Sequence, residues 1–374
     1  MTGNTALPKG FGEASPSSGS TLVKIISIFG LVYLFILSIT LLGASFKLFG
    51  KEFAETIFHA TSNPIVGLMI GVLTTAIIQS SSTTTSIIVG LVASGTLSVD
   101  ASISMVMGAN IGTSVTNILV SLGHITKGDE FKRAFTGSML HDFFNVCSVI
   151  VLLPLQINFD LIGRAALFLE KGFEGFGGVK FTSPLKTITK PVADAIIDLS
   201  GNSGIIAALI SFALLFIALH FIVRTLKSLV LSKVEKFFQR YIFRTPILSF
   251  FLGVVLTAFV QSSSITTSIV VPLIGAGVIS IPQIYPYLLG ANVGTTITAF
   301  LASFVTGSPA AVTVAFAHLV FNIFGIAIFW PLKAIPIWLA EKLSTLTQKS
   351  KLVPILYILI VFFIIPGTMI YFLN

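Results

Sequence analysis

The sequence predicts an all-α polytopic membrane protein made of two inverted repeats, each with a re-entrant helical hairpin and a discontinuous helix. Three observations lead there. Hydrophobic residues form 54% of the 374, charged residues only 10%, and mean hydropathy is +1.00. A soluble domain of this length needs far more charge to cover its surface. The apolar residues fall in long runs rather than in alternation, which selects helices over a β-barrel. The polar residues inside those runs occur twice. Residues 71–99 and 253–281 share 16 identities in 29 positions.

The repeated polar residues are specific. Gln79-Ser80-Ser81-Ser82 returns as Gln261-Ser262-Ser263-Ser264, 182 residues later. Gly108-Ala109-Asn110-Ile111-Gly112-Thr113 returns at the same offset as Gly290-Ala291-Asn292-Val293-Gly294-Thr295. His141 and Asn145 return as His318 and Asn322. A self-repeat of this kind in a membrane chain points to related halves around a shared midplane site.

The chain divides accordingly. Residues 1–20 are rich in Ser, Gly and Pro and are expected to be a disordered tail. The first repeat covers 21–156, a connecting segment 157–203, the second repeat 204–333, and a C-terminal segment with a last membrane helix 334–374. Runs 22–43, 135–155, 204–223, 312–332 and 353–373 each have about the 20 residues a bilayer span needs. Runs 64–98 and 246–280 are each interrupted by Gln-Ser-Ser-Ser. Each arm is roughly 14 residues, about 21 Å of helix, too short to cross. Two such arms meeting at a polar tip read as a re-entrant hairpin. Runs 101–122 and 284–304 carry two glycines and an Asn in mid-span, which suggests discontinuous helices.

The net charge of +8 does not point to nucleic acid, because the basic residues flank apolar spans. Residues 224–244 hold six basic residues against Glu235 alone. This segment is placed in the cytoplasm, which puts 157–203 outside. An odd number of spans then separates the two hairpins, so they enter from opposite sides and the repeats are inverted. Cys147 is the one cysteine, so no intrachain disulfide forms.

The tips offer hydroxyl and amide oxygens and helix N-termini, but no Lys or Arg. Helix N-termini bind anions, and oxygens at broken helices bind Na⁺. An anion held there needs N–H dipoles and co-bound cations, because an unpaired charge away from water is costly. Small and hydroxyl residues also serve packing between membrane helices. His141 and His318, four residues before an Asn, suit a buried hydrogen bond. Asp142 is an ionisable residue near the expected start of a membrane helix, with Leu319 at the matching place in the second copy.

These motifs, with Gly128-Asp129 leading through Phe131-Lys132-Arg133-Ala134-Phe135 to His141-Asp142, resemble the type II sodium-dependent phosphate cotransporters. The resemblance covers roughly 62–157 and 245–333. It implies a non-enzymatic, multi-pass cell-membrane symporter that moves inorganic phosphate inward with Na⁺ as coupling ion and no cofactor. Expected phosphate ligands are Gln79, Ser80, Ser81, Ser82, Ser262, Ser263, Ser264, Asn110 and Asn292. Expected sodium ligands are Gln79, Thr113, Thr116, Asp129, Asp142, Gln261, Ser262, Thr295 and Thr298. An Asp at the position of Asp142 marks the electrogenic members, so electrogenic transport is expected. Ala109 and Ala291 stand where many relatives have Ser, and the large disulfide-bearing external loop of animal members is shortened. Expected partners are phosphate, sodium and membrane lipids, with no nucleic acid and a homodimer left open. A carrier for another oxyanion, such as sulfate or a carboxylate, and an anion channel remain the alternatives.

Overall fold

The computed structural model describes residues 18–175, 184–241 and 245–373. Of the expected tail 1–20, residues 1–17 lie outside the described residues and the last three open α1. The first repeat consists of α1 (Ser18–Leu48), α2 (Gly50–Ala60), α3 (Pro64–Ile78), α4 (Ser81–Ser94), α5 (Val99–Gly112), α6 (Ser114–Leu122) and α7 (Gly128–Phe159). Then come α8 (Leu161–Gly175) and α9 (Pro184–Leu199). The second repeat consists of α10 (Gly204–Tyr241), α11 (Pro246–Val260), α12 (Ser263–Gly275), α13 (Ile281–Thr306) and α14 (Pro309–Phe329). The chain ends with α15 (Ala334–Leu346), α16 (Val353–Leu359), a π-helical turn (Ile360–Ile364) and α17 (Ile365–Leu373).

Among the described residues, seven helical stretches are long and apolar enough to cross a membrane, one in each region where a span was expected. The arms α3, α4, α11 and α12 are shorter, at 15, 14, 15 and 13 residues. Pro64 and Pro246 open α3 and α11, where a missing N–H costs nothing, behind Asn63 and Thr245 caps. Large apolar side chains such as Phe29, Ile77, Phe168, Leu209 and Phe259 stay exposed, as lipid contact requires.

Each first arm packs against the long helix that follows its hairpin, and glycines set the distance. A Cβ on Gly71 would lie 2.0 Å from Met105 O, and one on Gly108 2.0 Å from Leu68 O. The second copy repeats this, with Gly253 against Tyr287 O at 2.2 Å and Gly290 against Phe250 O at 2.0 Å. The glycines therefore remove side chains where backbones touch. This corrects the expected breaks. The helix α13 runs unbroken through Gly290–Gly294. In the first copy the interruption falls at Thr113, whose φ −59° and ψ −28° stay helical.

Other segments expected as loops are helical. The charged stretch after Gly128 is the first turns of α7, and the basic stretch after Thr225 continues α10 to Tyr241. The connecting segment folds into α8 and α9, which pack on α14 and α1 respectively.

The register on α7 differs between the copies. Along α5 and into α6, Ala101 shares a cavity with Gln156 and Asp160, Asn110 meets Asn145, and Ser114 meets His141. The helix α5 thus runs antiparallel to α7. Along α13, Ile281 shares a cavity with Lys132 and Thr136, and Asn292 meets His141 and Asn145. The helix α13 runs in the same sense as α7. Phe135, Phe144, Tyr285, Tyr287 and Phe321 are fully buried around this crossing.

Candidate functional site

Each tip is a two-residue joint between helices. Gln79 and Gln261 sit in the left-handed region, φ 60° and 58°, at the ends of α3 and α11. For a non-glycine residue this conformation costs roughly 1–2 kcal/mol. The side chains hold it in place. Gln79 Nε2 donates to Ala76 O at 3.0 Å, and Gln261 Nε2 donates to Ala258 O. Their Oε1 atoms accept from Thr116 Oγ1 at 3.1 Å and Thr298 Oγ1 at 2.8 Å. The two copies thus build the same Gln–Thr pair.

Ser80 and Ser262 cap the returning arms. Ser80 Oγ accepts from Thr83 N at 3.2 Å, and Ser262 Oγ from Ile265 N at 3.4 Å. The next N–H groups, at Ser81, Ser82, Ser263 and Ser264, lead α4 and α12 and have no acceptor within their helices. Ser82 Oγ donates across to Gln261 O at 3.0 Å, so the tips touch. The hydroxyls of Ser81, Ser263 and Ser264 make no hydrogen bond with other described residues. The centre thus presents two helix N-termini and free hydroxyls, with no cationic side chain among the described residues.

Beneath the tips the copies cross-connect. His141 Nε2 donates to Asn292 Oδ1 at 2.6 Å, and His318 Nε2 faces Asn110 Oδ1 at 3.4 Å. Asn292 Nδ2 donates to Asn145 Oδ1 at 2.9 Å, and Asn110 Nδ2 to Val106 O at 2.9 Å. Both expected Asn ligands are therefore buried and engaged by protein. Thr113 and Thr295 turn their hydroxyls back to the carbonyls of Ala109 and Ala291, each 2.9 Å away.

Asp142 is fully buried, fourteen residues into α7, not near its start as expected. The reason is that the charged segment before it is itself helix. Its Oδ2 accepts from Tyr357 OH, and its Oδ1 has no hydrogen-bond partner. Asp129 is not brought to this centre. It is exposed at the start of α7, where Gln348 Nε2 approaches its Oδ1 at 3.4 Å.

Two polar cavities open at opposite ends of α7. One, of about 440 Å³, is lined by Asp129, Lys132, Arg133, Thr136, Glu341 and Ser344. The other, of about 450 Å³, is lined by Thr61, Ser62, Ser98, Asp100, Gln156 and Asp160.

Sequence reasoning missed two polar side chains. Asn117 Oδ1 accepts from Thr267 Oγ1 at 2.9 Å and Ser268 Oγ at 3.0 Å, joining α6 to the second hairpin. An amide inside an apolar run was a readable signal, although Ala299 replaces it in the second copy. Tyr357 lies outside both copies and gave no such signal.

The fold and this centre define a polytopic membrane protein with two paired hairpins whose hydroxyl-rich tips carry no charged side chain. The chain belongs to the Na⁺/Pi-cotransporter family, whose sequence profile it matches over residues 34–170 and 214–333. It is 34% identical to sodium-dependent phosphate transport protein 2A of Ovis aries, over 94% of this chain and 68% of that one. The Rattus norvegicus protein 2A is 33% identical over 93% and 67%. Protein 2B of Homo sapiens is 31% identical over 92% and 64%. No solved structure matches this chain.

Proposed function

We infer that this protein is a cell-membrane symporter that carries inorganic phosphate with sodium. Family membership and the relatives' names support the substrate and the coupling ion. The observation that carries the site is the meeting of two helix N-termini, α4 and α12, with free hydroxyls at Ser81, Ser263 and Ser264. Phosphate between them receives backbone N–H and hydroxyl donors from both tips. The amide oxygens of Gln79 and Gln261, with Thr116 and Thr298, supply neutral sodium ligands beside it. Asp142 supplies one negative charge, which favours a further sodium ion and makes each cycle electrogenic. Asn110 and Asn292 act beneath the tips as supports rather than as ligands.

Inverted repeats give the route. The opposite sense of α5 and α13 along α7, and the cavities at its two ends, support hairpins that open alternately to either side. No reaction on phosphate is involved in this reading. The test is labelled-phosphate uptake into proteoliposomes of the purified protein. Uptake is expected only with inward Na⁺, and equal uptake without Na⁺ overturns the proposal.

A further inference from the structure

Two side chains that the repeat does not duplicate meet inside the protein. Asp142 has Leu319 at the matching place in the second copy, and Tyr357 lies on α16, beyond both copies. The phenol donates to Asp142 Oδ2. Its ring is bracketed by Phe143 at 6.4 Å and Phe362 at 6.0 Å between centroids, which limits where the hydroxyl can aim. Among the described residues no Lys or Arg pairs with Asp142. Oδ1 makes no hydrogen bond with the described residues; the neighbouring Ser114 hydroxyl, close to the carboxyl as well, lies 3.3 Å from His141 Nδ1. A buried carboxylate with neutral hydroxyls around it and one oxygen without a hydrogen bond is incomplete.

We propose that Tyr357 is a positioning residue for ion coupling: its hydroxyl fixes the Asp142 carboxylate so that Oδ1 is presented to a sodium ion. This rests on the reading of Asp142 as a sodium site. A phenol suits the task because it binds one oxygen without bringing a charge that competes with the cation. The element carrying it is also tied to a hairpin. The π-helical turn begins three residues after Tyr357, where Pro366 offers no N–H to Phe362 O, and α17 then packs along α3. A shift of the first hairpin therefore reaches the phenol through one continuous helix.

The experiment measures phosphate uptake against Na⁺ concentration for the full-length wild type, Tyr357→Phe, Asp142→Asn and the double variant. Tyr357→Phe removes one oxygen. It is expected to raise the Na⁺ concentration for half-maximal uptake about ten-fold, the effect of losing a hydrogen bond to a charged group. The KM for phosphate at saturating Na⁺ should move less than two-fold. In the Asp142→Asn background the same change should have no further effect. Wild-type Na⁺ dependence in Tyr357→Phe, or an equal loss with and without Asp142, overturns the proposal. Wild-type Na⁺ dependence in Asp142→Asn instead overturns the sodium assignment beneath it. Na⁺-dependent thermal stabilisation of the detergent-purified proteins gives the same comparison should Tyr357→Phe not reconstitute, with the same outcomes deciding.

Discussion

Ser82 Oγ donates to the backbone carbonyl of Gln261 at 3.0 Å, so the tip of one repeat is closed by the tip of the other. The hydroxyls of Ser81 and Ser263, each one residue past its N-cap, remain free beside that contact. Ser81→Ala and Ser263→Ala are each expected to weaken apparent phosphate affinity about ten-fold or more. A hydrogen bond to a charged partner is worth roughly 1.5–3 kcal/mol. Uptake kinetics check this, and wild-type affinity in both variants would displace phosphate from the tips.

The joints themselves can be separated from their side chains. Gln261→Ala and Gln261→Gly both lose the Thr298 contact of 2.8 Å, but only glycine tolerates φ 58° without strain. The glycine variant should be more stable than the alanine variant by about 1 kcal/mol. Melting of the purified proteins should rank them in that order, while Na⁺ affinity falls in both.

Close backbone contact predicts where methyl groups are forbidden. Gly290→Ala places a Cβ 2.0 Å from Phe250 O and should lower melting or abolish folded yield, since overpacking costs about 1–3 kcal/mol or more. Gly43→Ala, with nothing within 4 Å of its Cβ, should be neutral or slightly stabilising. Equal behaviour of the two would mean that α11 and α13 are not in contact at Gly290.

The proposed inverted arrangement predicts sided access. In a Cys147→Ser background, Ser62→Cys should react with an impermeant thiol reagent from outside and Thr345→Cys only from inside. These positions line the cavities at opposite ends of α7. Labelling of both from one face would remove the inverted topology.

Glu170 on α8 offers a pH test. It is 3% exposed, its Oε1 has no hydrogen-bond partner, and burial, then the Glu174 charge, hold its carboxyl above the usual range. Ionising it costs more in the folded than in the unfolded chain. Stability is therefore lost as pH rises from the ordinary Glu value, about 4.3, through the raised folded value. Glu170→Gln should melt higher than wild type above that window and equal to it below. A difference independent of pH would assign the effect to packing instead.

Much of this was legible in the chain. Pro64, Pro246 and the doubled Gln-Ser-Ser-Ser located four short arms, because helix starts and caps are local chemistry. The role of Gly290 was not legible, since a glycine that breaks a helix and one that admits a neighbour look alike in one dimension. Asp142 was placed near the start of its helix because the charges before it read as loop, yet they are turns of α7. Its partner Tyr357 lies 215 residues away, and only tertiary packing brings the two together.

Gln79–Ser86 and Gln261–Ser268 contain amide and hydroxyl side chains but no acid, base or thiol. No group in them changes protonation across the physiological range. Their N–H groups can only give hydrogen bonds, whereas amide oxygens take them and hydroxyls do both. With phosphate bound there as proposed, such a tip would accept the divalent ion through its donors and meet the extra proton of the monovalent ion with an oxygen. In that range the cargo, rather than these residues, is what titrates.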